Sequence, residues 1–134
     1  MSVHKEPNQR IDALATQVVD AAFQVHKRLG PGLLESIYET CFCFELKKRG
    51  ILYERQKPVV IKYDGIELNE PALRIDVLVD SSIIIEIKAV DEYKKLFEAQ
   101  LMTYLKLSNK QLGFLINFNV SLIKNGIKRI INNY

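Results

Sequence analysis

The stretch from Arg74 to Val90, "RIDVLVDSSIIIEIKAV", constrains the fold more than any other part of the chain. Apolar residues alternate with other residues in both of its halves, which is the pattern of β-strands. We therefore predict strands at Leu73 to Val79 and Ile83 to Val90. The loop between them, Asp80 to Ser82, has an odd number of residues, so it brings two all-apolar faces to the same side of an antiparallel hairpin. That face is predicted to carry Leu73, Ile75, Val77, Val79, Ile83, Ile85, Ile87 and Ala89.

The opposite face of this hairpin carries acids and bases. The predicted register sets Asp76 directly opposite Glu86, and Arg74 opposite Lys88. Like charges placed opposite each other repel, whereas a divalent cation between the two carboxylates removes the repulsion. Mg²⁺ and Mn²⁺ take hard oxygen ligands of this kind and complete their shells with water. Lys88, on the same face, could hold a water or a phosphate oxygen beside the ion.

The alternative is a network of cross-strand ion pairs on a solvated face, built from the same four charged residues. Three apolar residues on that face, Leu78, Ile84 and Val90, instead favour a helix that covers it. The acids would then be partly buried, and buried acids need a paired charge or a metal.

The rest of the chain predicts helices on either side of these strands. Helices are expected at Ile11 to Leu29, Leu33 to about Arg49, and about Asp91 to Leu107, and further strands at Val59 to Tyr63, Gly113 to Phe118 and Ile127 to Ile131. Asp64-Gly65 is a turn of the type that favours hairpins. The strand "GFLINF" is continuously apolar, as in a strand buried on both faces. We predict one α/β domain, residues 1–134, with a mixed central sheet flanked by helices.

Composition excludes few classes of protein. The net charge of +3 is spread along the chain, so it permits a nucleic-acid partner without requiring one. No apolar run approaches the roughly 20 residues that a bilayer requires, and the start "MSVHKEPNQR" lacks the apolar segment of a signal peptide. A cytoplasmic protein with no membrane contact is expected.

The cysteines predict neither a disulfide nor a zinc site. Cys41 and Cys43 lie two residues apart in a predicted helix, where they cannot bridge each other. His4 and His26 are distant in sequence and provide no paired spacing for zinc. Free thiols are expected.

The second helix carries a candidate acid near its start. Glu35 and Tyr38 are three residues apart and share one helix face. Glu35 could equally be a first-turn acid favoured by the helix dipole. The residues predicted to face inward on this helix are Leu34, Ile37, Tyr38, Cys41 and Phe44.

The third helix carries a glutamine inside an apolar stripe. Gln100 and Tyr104 lie four residues apart, between Phe97 and the end of the helix, and could reach together toward the strand acids or a nucleotide. The alternative is a core glutamine with satisfied hydrogen bonds beside a core tyrosine.

Taken with their spacing, these residues resemble a known nuclease superfamily. Asp76, followed after nine residues by Glu86-Ile87-Lys88, resembles the D...(D/E)xK core of the PD-(D/E)XK nucleases. Gln100-x-x-x-Tyr104 is similar to the QxxxY element of the RecB-like branch of that superfamily. "GLLESIY" at 32 to 38 resembles the signature of the GxxExxY proteins, which are usually assigned to it. Ile75 stands where the superfamily name places proline.

The resemblance implies a restriction-endonuclease-like αβββαβ core with an extra N-terminal helix. It implies a nuclease of DNA or RNA that depends on Mg²⁺ or Mn²⁺. The implied metal ligands are Asp76, Glu86, the backbone carbonyl of Ile87, and Glu35 as a further carboxylate. Lys88 would orient or activate the attacking water. The expected substrate-binding or site-shaping residues are Gln100, Tyr104, Tyr38 and Arg74.

Two other functions are compatible with the sequence. A non-catalytic module that keeps the nuclease fold would bind nucleic acid through its lysine clusters, without metal and with strong salt dependence. A protein-interaction subunit would rely on a partner for its substrate. A homodimer or a protein partner is left open.

Overall fold

A computed structural model describes residues 8–69 and 73–132 of the chain. The helices in these parts are Gln9–Leu29 (α1), Glu35–Lys48 (α2) and Leu96–Ser108 (α3). The strands are Tyr53–Pro58 (β1), Lys62–Tyr63 (β2), Ile66–Glu67 (β3), Arg74–Val79 (β4), Ile83–Lys88 (β5), Leu112–Asn117 (β6) and Ile127–Ile131 (β7). A short 3₁₀ helix, Ile123–Gly126, precedes β7.

Five strands form one mixed sheet in the order β1-β4-β5-β6-β7. β4 pairs antiparallel with β1 and with β5, whereas β5 and β6 are parallel neighbours joined through α3. A parallel pair needs such a crossover, and the crossover helix covers the sheet. β6 is buried along its whole length, as its apolar sequence predicts. The predicted α/β fold class is confirmed: α2, β1, β4, β5, α3 and β6 follow the αβββαβ order, and α1 is the extra N-terminal helix.

The two faces of the sheet carry separate apolar cores. The core under α1 and α2 takes Val77, Val79, Ile83, Ile85 and Ile87 from the central strands. On the other face, Leu101 and Leu105 of α3 pack with Leu78 and Ile84. The expectation that a helix covers this second face is confirmed.

The predicted alternation of β4 is wrong in its first half. The sequence pattern groups Leu73 and Ile75 with Val77, but both pack in the core under α3. The break falls at Asp76, where the backbone pairing of β4 with β5 ends. Gln56, the residue of β1 in register with Asp76, has a φ of 52°. A left-handed residue distorts the regular pleat, so the side chains on the two sides of Asp76 enter different cores.

The inward face of α2 also differs from the prediction. Of the five residues expected inside, Tyr38 is buried and Cys41 half-buried, but Leu34, Ile37 and Phe44 are 71%, 40% and 58% exposed. Phe42 and Leu46 are buried instead. α2 carries apolar residues on two faces, and the face with Tyr38, whose ring stacks on Phe118 at 4.6 Å between centroids, packs inward.

The first strand of the sheet lies earlier than predicted. The sequence pattern places it at Val59 to Tyr63, whereas β1 is Tyr53–Pro58. The sequence "YERQKP" lacks an apolar alternation because β1 is an edge strand with largely exposed residues. Lys62 and Tyr63 instead form β2, which pairs with β3 in a separate hairpin across the predicted Asp64-Gly65 turn.

Two element ends differ by a few residues. β5 ends at Lys88 because the backbone N–H and carbonyl of Val90 bond the side-chain amide of Asn117 and not a neighbouring strand. α3 begins at Leu96, later than the predicted Asp91. The segment between them is a turn that leads from the end of β5 to the start of α3.

Cys41 and Cys43 are both free thiols, as their spacing predicts. His4 lies outside the described residues, and Nε2 of His26 lies 2.7 Å from the carbonyl oxygen of Val120. Across the two described ranges, no helix has both the length and the apolar character needed to cross a membrane.

Candidate active site

Asp76 and Glu86 lie where β4 and β5 cease to pair through their backbones. The paired residues run from Val79–Ile83 to Val77–Ile85, so the next position of this register joins Asp76 and Glu86. There the side chains take over the hydrogen bonding. The backbone N–H of Asp76 donates to Oε2 of Glu86 at 3.0 Å, and the N–H of Ile87 donates to Oδ2 of Asp76 at 2.8 Å. Each carboxylate therefore accepts a hydrogen bond from the backbone of the opposite strand.

The electrostatics of this pair favour a proton or a cation. Burial raises the pKa of Glu86 to about 8, and the charge of Asp76 adds to the rise. Burial also raises the pKa of Asp76, against the hydrogen bonds from Ile87 and Gln56 and the charge of Lys88. A buried and a half-buried carboxylate this close resist ionising together. Among the described residues neither acid forms an ion pair with Arg74 or Lys88, the two partners that a solvated ion-pair network requires.

Glu35 reaches the same site from the start of α2. Burial and the charge of Asp76 raise the pKa of the Glu35 carboxyl, while Lys88 lowers it. In the described stretches, neither Glu35 nor the two strand acids form an ion pair. Glu35 is thus a third carboxylate within electrostatic reach of the other two.

Tyr38 fixes the beginning of α2, and with it Glu35. Its buried hydroxyl donates to the carbonyl oxygen of Gly30 at 2.6 Å and accepts from the N–H of Leu33 at 3.1 Å. Its ring stacks on Phe118, at the end of β6. Through these two hydrogen bonds, Tyr38 holds the segment that connects α1 to α2.

Lys88 and Tyr104 approach the acids from the side covered by α3. Lys88 is the last residue of β5, and its ammonium nitrogen lies 4.7 Å from the centroid of the Phe97 ring. Burial, together with the charges of Glu86 and Asp76, raises the pKa of the Tyr104 hydroxyl. The tyrosine therefore lies near the strand acids.

Two of the predicted residues lie at the margin of the site. Gln100, one turn before Tyr104, is exposed, so it is not a core glutamine. Arg74 is exposed as well, and its guanidinium donates to the backbone carbonyl of Gln56 at 3.1 Å. Arg74 therefore bonds β1, and the pairing of β4 with β5 ends before the position that would set Arg74 opposite Lys88.

The sequence reasoning missed a polar network behind Asp76. Nε2 of Gln56 donates to Oε1 of Glu39 at 2.9 Å and lies 3.4 Å from Oδ1 of Asp76. The buried Glu39 also accepts from Nε of Arg55 at 3.0 Å. The position of Glu39 could have indicated that it lies near the site, since it is four residues after Glu35 on the same helix face. The sequence of β1 gave no signal for Gln56 or Arg55.

The donor set suits a hard divalent cation that shares its shell with a substrate. Within residues 8–69 and 73–132, no three Asp, Glu, His or Cys side chains are grouped closely enough to hold a metal by themselves. Asp76 and Glu86 each use one oxygen on a backbone amide, and the second oxygen of Asp76 accepts only the long 3.4 Å hydrogen bond from Gln56. Mg²⁺ is commonly held by one or two carboxylates, with waters and phosphate oxygens as its other ligands. The residues present therefore fit such an ion.

Comparison with known proteins identifies the family. The model of the PD-(D/E)XK nuclease superfamily matches residues 12–130, a range that contains every candidate site residue. A search of curated proteins and a search of solved structures each found no match. Nucleases of this superfamily generally use divalent metal ions and act on nucleic acid. With the match covering most of its length, this chain belongs to the PD-(D/E)XK nuclease superfamily.

Proposed function

We propose that this protein is a nuclease that hydrolyses phosphodiester bonds of DNA or RNA with Mg²⁺ or Mn²⁺ as its cofactor. The observation that supports it best is the pair of carboxylates, the half-buried Asp76 and the buried Glu86, at the point where β4 and β5 open. A third acid, Glu35, and the cation of Lys88 lie within electrostatic reach of that pair. The superfamily membership supports the same conclusion.

The acids form the cation site in this proposal. Asp76 and Glu86 would hold the ion with the backbone carbonyl of Ile87, and Glu35 would add a carboxylate from α2 once the ion had drawn it closer. A divalent cation bound there stabilises the negative charge that develops on the phosphate in the transition state. Burial raises the pKa values of the three acids because it disfavours their negative charge. A divalent cation would compensate that charge in place of protons, so the raised pKa values favour binding of the cation.

The remaining residues act on water and substrate. The ammonium of Lys88 donates a hydrogen bond to the attacking water or to a phosphate oxygen. The hydroxyl of Tyr104 and the amide of Gln100, on successive turns of α3, hold the substrate beside the acids. The exposed guanidinium of Arg74 is available to a backbone phosphate farther along the strand, where a planar cation with several donors suits the ligand.

Three finer assignments belong to the same proposal. The "GLLESIY" segment and the Gln100 and Tyr104 pair support membership of the GxxExxY group and the RecB-like branch. A cytoplasmic location would give the protein access to nucleic acid. A homodimer or a protein partner would supply further contacts with the substrate.

Calorimetric titration of Mn²⁺ tests this proposal without a known substrate. We expect the wild-type protein to bind the ion, Glu86→Gln to lose that binding, and the matched control Glu67→Gln, on the exposed hairpin strand β3, to keep it. DNA and RNA substrates, single- and double-stranded, are then assayed with the same three proteins. Cleavage that Glu86→Gln leaves unchanged would assign the activity to another protein. Metal-independent, salt-sensitive binding without cleavage would favour the non-catalytic module.

A further inference from the structure

Lys88 is held by an aromatic ring and not by a carboxylate. The distance of 4.7 Å between its ammonium nitrogen and the centroid of the Phe97 ring is within the range of a cation–π interaction. In the parts of the chain that the structure describes, Lys88 forms no ion pair, although its charge lowers the pKa of the three acids of the site. The ammonium is therefore close to the acids and yet out of direct contact with them.

This separation matters because a lysine side chain is long and flexible. Its four-carbon stem lets the ammonium reach any nearby anion, and three acids lie close by. Direct pairing would occupy the carboxylate oxygens that a divalent cation needs. It would also occupy the N–H groups of the Lys88 ammonium, which must donate to a phosphate oxygen or a water. An aromatic face attracts the ammonium without taking either of these groups.

The Phe97 ring is itself held in place by its neighbours. It packs against the core under α3, and the ring of Tyr93 meets it edge-on, with 5.9 Å between centroids and an angle of 86°. The hydroxyl of Tyr93 donates in turn to the carboxylate of Glu98. The backbone carbonyl of Lys88 accepts a hydrogen bond from the N–H of Phe118 at 2.9 Å. The Phe97 ring and the backbone of Lys88 are thus both fixed to the scaffold.

We propose that Phe97 is a positioning residue of the active site, whose ring keeps the ammonium of Lys88 available to a phosphate oxygen or a water and apart from the carboxylates of Asp76 and Glu86. The role in the reaction rests on the nuclease function proposed above. The contact itself does not, so the two can be tested separately.

The contact is tested first, on the metal-free protein, by nuclear magnetic resonance of ¹³C-labelled lysines. An aromatic ring shields protons that lie over its face, so the ε-protons of Lys88 should resonate upfield of those of exposed lysines. Loss of the signal in Lys88→Arg assigns it. We expect Phe97→Leu and Phe97→Met to remove the upfield shift and Phe97→Tyr to keep it. An unshifted Lys88 signal in the wild type, or a shift that survives Phe97→Leu, would overturn the proposal.

The chain offers a matched control on α2. Lys48 lies over the Phe44 ring at 5.4 Å, on an exposed helix face that takes no part in the site. Phe44→Leu removes a lysine–aromatic contact of the same kind. It should leave the Lys88 signal and the cleavage rate unchanged.

Kinetics test the role in the reaction. Loss of a cation–π contact of this kind should lower kcat by about two- to five-fold in Phe97→Leu, with KM unchanged, and Phe97→Tyr should restore it. A Lys88 signal that moves while kcat stays at the wild-type value would overturn the positioning role. If the wild type cleaves none of the nucleic acids, the proposed nuclease function fails and the positioning role in catalysis fails with it. The spectra alone would then decide whether Phe97 holds Lys88.

Discussion

Asp76 and Glu86 are joined through backbone and side chain: the N–H of Asp76 donates to the Glu86 carboxylate at 3.0 Å. The Asp76 carboxylate makes the corresponding contact with the N–H of Ile87 at 2.8 Å. These bonds replace the ladder hydrogen bonds of an antiparallel pair, so β4 and β5 stay connected where their backbones separate. The same bonds keep the buried Glu86 carboxylate beside the half-buried Asp76 carboxylate, which is unfavourable in the absence of a cation.

That arrangement predicts how the stability of the metal-free protein depends on pH. The pKa of Glu86 is raised in the folded state from its ordinary value of 4.5 to about 8. Between these values the folded protein binds more protons than the unfolded chain, so the free energy of unfolding falls as pH rises toward 8. Glu86→Gln should reduce this slope, leaving the smaller contributions of Asp76 and Glu35, and raise the melting temperature at pH 8. For a domain of this size, each 1 kcal/mol corresponds to roughly 4 °C.

Calorimetry at pH 5.5 and pH 8 in the presence of a chelator measures this effect. Glu67→Gln, on the exposed β3 strand, serves as the control and should keep the wild-type slope. Mg²⁺ should raise the melting temperature of the wild type at pH 8 but not that of Glu86→Gln. Equal slopes in wild type and Glu86→Gln would contradict the assignment of the raised pKa to this carboxyl.

Tyr38→Phe should destabilise the connection between α1 and α2. The substitution keeps the stack on Phe118 but removes the hydroxyl that bonds Gly30 and Leu33. A buried polar group left without its partner costs about 1–3 kcal/mol, and we expect a loss in this range from urea unfolding. Tyr63→Phe, at a hydroxyl-bearing ring that is 76% exposed, should change the free energy of unfolding by less than about 0.5 kcal/mol. Equal effects of the two variants would mean that the Tyr38 hydroxyl does not hold α2.

Some features could be read from the sequence because a local pattern encodes them. The hairpin of β4 and β5 follows from the alternation along β5 and the second half of β4, and from a loop of three residues. Two of these loop residues, Asp80 and Ser81, have φ values of 49° and 53°, a conformation that short polar side chains tolerate better than branched ones. β6 was equally predictable, because a strand buried on both faces is apolar throughout.

Other features depend on contacts between residues that are distant in sequence. Gln56 reaches Glu39 and Asp76 only because β1 lies between α2 and β4, and the exposed edge strand that carries it has no apolar period. The orientation of α2 could not be predicted from the sequence for a different reason. Its apolar residues cover two faces, and a tertiary contact, the stack of Tyr38 on Phe118, decides which of them is buried.

The orientation of α2 gives a third prediction, on two phenylalanines two residues apart. Phe42 is fully buried, so Phe42→Ala should lower the free energy of unfolding by about 3–5 kcal/mol. Phe44 is 58% exposed, so Phe44→Ala should change it by less than about 1 kcal/mol. The apolar periodicity alone predicts the opposite order. Urea unfolding of both variants decides between the two orientations, and a larger loss in Phe44→Ala would contradict the structure.

Lys88→Gln should separate binding of the cation from cleavage. The substitution leaves Asp76 and Glu86 in place and removes a positive charge that opposes cation binding, so the affinity for Mn²⁺ should be equal or higher. The rate should fall, because a positioned donor to the reacting phosphate or water is lost. Losing such a donor typically lowers kcat by about 10²–10³-fold. Lys106→Gln, on the exposed side of α3, should leave both quantities unchanged. If Lys88→Gln cleaves as fast as the wild type, another group must supply the hydrogen bond, and the role given to Lys88 would be wrong.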